Sequence, residues 1–80
     1  VVYTGSTAVN VTGYRAPGAD GDVLLVVVTG SGTITHMHQN ASSDAGNRMV
    51  FQGAVDLGVA TNRALMLTYQ SSRWREMKWA

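Results

Sequence analysis

His36 and His38 flank a single residue, Met37. If residues 33–38 form a strand, both imidazoles project with Ile34 to one face, because side chains alternate with a period of two. Imidazole is a ligand for iron, copper, zinc and nickel. Two nitrogens are too few to hold an ion, so a metal here would need ligands from further copies of the chain, and neutral imidazole would make that binding pH-dependent. The structural alternative is a cross-strand polar residue at position 36 and a loop-bonding one at 38. Ser42, Ser43 and Asp44 follow, and with the histidines they supply the side-chain types of a hydrolase. The arrangement is missing: no Gly-x-Ser-x-Gly elbow is present, and 80 residues offer too little fold to enclose a pocket. The stretch GADGD around Asp20 and Asp22 lacks the spaced acidic ligands and closing glutamate of a calcium loop, and it reads as a turn. No enzymatic activity is expected.

The elements that must carry these residues are short. Nine glycines and one proline cut the chain into runs rich in Val, Thr, Leu and Tyr, which is a strand signature. Residues 7–13 alternate, with Val9 and Val11 on one face. RAPGADGD is turn chemistry, and residues 23–28 follow as six consecutive apolar side chains. A strand with no polar face is expected to be covered on both sides. GSG at 30–32 predicts a tight hairpin into residues 33–38. Residues 39–47 are polar and small, a loop with one helical turn opened by Ser42 or Ser43. Residues 48–52, 55–59 and 64–70 are further strands, the last with Leu65, Leu67 and Tyr69 on one face. The expected fold is all-β: one small antiparallel sandwich or prism-like domain of six to seven short strands spanning residues 1–80.

The chain closes on SSRWREMKWA. At period two Trp74, Glu76 and Lys78 share one face of a final strand, and Arg73, Arg75, Met77 and Trp79 share the other. Tryptophan thus points both ways, and aromatics with arginine are the composition enriched where proteins meet. A domain this size hides only about 60% of the surface its unfolded chain exposes. With no cysteine, disulfides and thiolate zinc sites are excluded, which leaves a histidine or carboxylate metal, partner chains, or both as the expected source of added stability. A net charge of +1 with 14% charged residues gives no field for nucleic acid or an acidic membrane, and VLLVVV is far short of a membrane span. Tyr14, Arg73, Arg75 and Trp79 are the candidate binding residues, for a protein interface or for a neutral sugar stacked on an aromatic face. Tyr69 and Trp74 are read as core. Asn47 and Arg48 are read as structural, Asn47 in a turn and Arg48 reaching Asp44 or a carbonyl of another chain.

GTITHMHQNASSDAGNRMVFQG followed by ALMLTYQSSRWREM resembles a C-terminal module of bacteriophage tail-fibre and virion surface-fibre proteins. The resemblance covers roughly residues 22–77 and is carried by the spacing from His38 to Asn47-Arg48 to Trp74. It implies a non-enzymatic structural module, a homotrimer at the end of a longer fibre polypeptide, contacting other virion proteins on a tail or head surface. A start at Val1 rather than Met fits processing or the end of such a polypeptide, with residues 1–6 as a linker from an upstream stalk. Three copies of His36 and His38 around one axis would place six nitrogens for an octahedral ion, and some phage fibres are similar in carrying iron on a His-x-His. The second function class is a fibre-tip module that recognises a glycan on the bacterial surface.

Overall fold

In a computed structural model, which describes residues 1–77, eight strands form two sheets. They are β1 (Val2–Tyr3), β2 (Val9–Val11), β3 (Val23–Val28), β4 (Ile34–His36), β5 (Met49–Val50), β6 (Leu57–Val59), β7 (Arg63–Gln70) and β8 (Arg73–Glu76), with one 3-10 turn at Ala45–Asn47. The larger sheet has the order β1-β3-β7-β8-β5 and the smaller β2-β4-β6. The fold is all-β and two-layered, as expected. Its pairing is mixed: β3/β7, β7/β8 and β4/β6 are antiparallel, whereas β1/β3, β2/β4 and β5/β8 are parallel. The radius of gyration, 12.0 Å, is close to the roughly 11.6 Å of a compact domain of this length.

The glycines of GSG do something other than close a hairpin. Strands β3 and β4 belong to different sheets, and the segment between them runs beside residues 4–8, so that two neighbouring chain segments leave the larger sheet together and enter the smaller one together. Gly30 donates its amide to the Tyr3 carbonyl at 3.2 Å and Gly32 to the Gly5 carbonyl at 3.0 Å. A side chain at Gly30 would collide with the backbone of Thr4 and Gly5. Glycine is required there for close backbone approach, and the parallel pairing of β1 with β3 and β2 with β4 follows from that shared crossing. The hairpin expected at 30–32 is therefore corrected. The chain does reverse tightly at Ser71 and Ser72, both with positive φ (53° and 60°), the backbone that a two-residue turn between twisted strands requires.

One apolar core joins the layers. From the larger sheet come Val26, Val28, Leu65, Leu67, Tyr69, Trp74 and Met49, from the smaller Ile34 and Val59, and Phe51 closes the space between them. The inward alternation on β7 is the expected one, Leu65, Leu67 and Tyr69 being buried. On β3 only one face is covered: Val26 and Val28 are fully buried, while Val23 and Leu25 remain 56% and 45% exposed. The 3-10 turn is preceded by Asp44, which makes no side-chain capping bond, so neither Ser42 nor Ser43 opens it. Ser43 instead bonds Thr12, hydroxyl to hydroxyl, at 2.6 Å.

Candidate functional site

The strand expected over residues 33–38 is shorter, Ile34–His36, so that His36 shares the core face with Ile34 while His38 lies beyond the strand, half-buried and bridged to Met49. His36 is fully buried. Its Nε2 lies 2.8 Å from the Tyr14 hydroxyl, and its Nδ1 has no hydrogen-bond partner. Burial holds its pKa below the ordinary histidine value, with the backbone of Leu57 and Ile34 offsetting part of the effect without reaching hydrogen-bond geometry. Burial also pushes Tyr14 up to about 12, so the phenol stays neutral. His38 is turned to a different partner: its Nδ1 accepts the Phe51 amide at 3.0 Å, and its own amide donates to Asp56 Oδ1 at 2.8 Å. Both rings flank Phe51 with centroids 6.4 Å away.

This geometry corrects two sequence expectations. His36 and His38 are not a metal-ligand face, because His36 exposes no atom that could reach an axis shared between chains, and no six-nitrogen iron site can be assembled from it. Among the described residues, no group of three metal-binding side chains occurs. Tyr14 is not an open aromatic platform either. Its hydroxyl is committed to His36, and its backbone is pinned by Asn47, whose carbonyl accepts the Tyr14 amide at 3.0 Å.

Asn47, Arg48 and Trp74 are structural, and they act together. Asn47 Oδ1 accepts the Ala16 amide at 2.9 Å, fixing residues 14–16 against the loop. Arg48 Nε donates to the Ser43 carbonyl of its own chain at 3.0 Å, where the sequence pointed to Asp44 or another chain, and the Arg48 carbonyl accepts the Trp74 amide at 3.0 Å. Trp74, 4% exposed, meets Tyr69 edge to face at 5.2 Å and donates its indole N–H to the Tyr14 carbonyl at 3.1 Å. A buried tryptophan is stable only with that N–H satisfied. Arg73 and Arg75 lie opposite Trp74 on β8 and are half-buried. Arg73 Nε donates to Gln39 Oε1 at 2.9 Å and Arg75 Nε to the Gln70 carbonyl at 3.0 Å. Trp79 lies outside the described residues.

The surface that sequence reasoning missed is the outer face of the larger sheet. The strand registers align Val2, Val27 and Ala64 in one row, Leu25 and Met66 in the next, and Val23, Thr68 and Arg75 in a third. Met77 extends the second row through its amide bond to the Met66 carbonyl, 3.0 Å. An open groove of about 310 Å³ near this row is lined by Leu25, Met66, Met77 and Glu76, and also by Leu65 and by Leu57 of the smaller sheet. Val2 (64%), Val23 (56%), Leu25 (45%) and Met77 (39%) are exposed. The signal was present in VLLVVV, which has no polar face to offer water. Comparison with protein-family models, with curated proteins and with solved structures returned no match.

Proposed function

We propose that this domain is a non-enzymatic structural module of a bacteriophage virion, a trimeric end or decoration of a tail or head fibre, which assembles by packing the outer face of its larger sheet against other copies. One observation carries the assembly: neighbouring strands present Val2, Val23, Leu25 and Met77 to solvent in aligned rows that also contain Val27, Ala64 and Met66. Contiguous exposed apolar surface marks an interaction site, and each such side chain contributes about 1.5–3 kcal/mol when taken fully out of water. Arg75 stands at the end of the third row, as arginine does at the edges of protein contacts. Stoichiometry and virion location are supported by the resemblance around His38, Asn47-Arg48 and Trp74.

The glycan-recognition reading ranks second, since Tyr14 is half-buried and its hydroxyl is spent on His36. Native mass measurement tests the first reading. The wild-type domain is expected to be trimeric, and the Leu25→Lys/Met66→Lys double variant monomeric with an unchanged circular dichroism spectrum. A wild-type protein that stays monomeric at the highest concentration attainable would sink it.

A further inference from the structure

His36 is the one buried polar or charged side chain among the described residues, and it sits at the joint of the two layers. It belongs to β4 of the smaller sheet, and its ring lies against Phe51, which belongs to the shared core. The neutral imidazole already leaves one nitrogen unsatisfied. If the Tyr14 hydroxyl donates to Nε2, Nδ1 carries a hydrogen with no acceptor in hydrogen-bond geometry; if Nε2–H donates to Tyr14, the Nδ1 lone pair has no donor. A second proton makes the ring a double donor with a full charge, and only one of its two N–H groups has an acceptor in reach.

Among the described residues no carboxylate is free to balance that charge, and the backbone of Leu57 and Ile34 offsets only part of its burial cost. From the segment after β2 the facing group is Tyr14, a neutral phenol. Strands β2, β5 and β6 bring no titratable side chain. Of the nearby charged groups, Asp56 is engaged on the His38 amide, Glu76 on the Gln52 amide, and Arg48 on the Ser43 carbonyl. His38, across Phe51, accepts the Phe51 amide on its Nδ1.

We propose that His36 makes the junction between the two sheets an acid-sensitive latch, closed while the ring is neutral and released when it takes a proton. A buried cation without a counter-ion is stabilised by exposure to water, so the release moves β4 and the Phe51 turn away from the larger sheet. This goes beyond the assembly role and does not depend on it, because every group involved lies within one chain.

The sign follows from linkage. The unfolded chain binds the His36 proton near pH 6.5, and the folded chain binds it only at lower pH. Stability is complete above about 6.5 and is lost as the pH falls toward the folded value. Urea unfolding at pH 8 and pH 5 should show the folding equilibrium constant of the wild type falling more than that of His36→Gln, with a ceiling of about 30-fold, because the variant's amide takes no proton. In parallel, the His36 ring resonance of the folded wild type should titrate below the value of a free imidazole. This second readout stands if the variant fails to fold. Equal losses in both proteins, or a His36 ring titrating near pH 6.5 in the folded state, would overturn the latch.

Discussion

The two faces of the β3–β7 pair are built from the same kinds of residue and meet opposite fates. Inward, Val26, Val28, Leu65 and Leu67 are buried; outward, Val23 and Leu25 lie open beside Met66 and Ala64. Composition does not distinguish the faces. What does is the second layer: the smaller sheet is only three short strands wide, enough to roof one side of a five-stranded sheet. The inner face makes the fold, and the outer face is left for a neighbour.

The inner face gives way most readily at Trp74. Trp74→Ala empties a core position and orphans the Tyr14 carbonyl, at a cost of about 3–5 kcal/mol against a total that is small for a domain of this size. Loss of cooperative thermal unfolding is the expected result, and a variant melting like the wild type would remove Trp74 from the core. A paired substitution sharpens the contrast on a single sheet. Leu67→Ala should cost about 2–5 kcal/mol in urea unfolding, whereas Leu25→Ala should change the stability of the dissociated chain by less than about 0.5 kcal/mol while weakening self-association. Similar losses at both positions would mean that the outer face is already covered within the chain. The smallest effect belongs to the turn that joins β7 to β8. Ser71→Asn/Ser72→Gly suits two consecutive positive-φ residues and should raise stability by about 1 kcal/mol, seen as a higher melting temperature with the oligomeric state unchanged.

Much of the inner face was legible. Leu65, Leu67 and Tyr69 alternate in the sequence as they do in the fold, and Trp74 takes the core place expected of it, although parity alone sets a tryptophan on each face of the last strand. Legibility failed where a residue's role is set by a distant segment. Gly30 and Gly32 look like turn formers, but their smallness serves the backbone of residues 3–7, about 25 positions earlier. VLLVVV announces two apolar faces without saying that the second layer is too narrow for both. His36 faces inward with Ile34, whereas His38 lies past the end of the strand that their spacing predicted. Their partners are Tyr14 and Phe51, which lie 22 residues before one histidine and 13 after the other.

The bond from the Trp74 indole to the Tyr14 carbonyl spans 60 positions, and the Tyr14 segment is held in turn by Asn47. No early portion of the polypeptide can complete its own interior, since the bolt that fastens residues 14–16 arrives with the final strand. During synthesis this domain must wait for the ribosome to deliver β8 before it can fold. With so many partners far apart along the chain, it belongs among the slow folders, on the millisecond-to-second scale of all-β topologies.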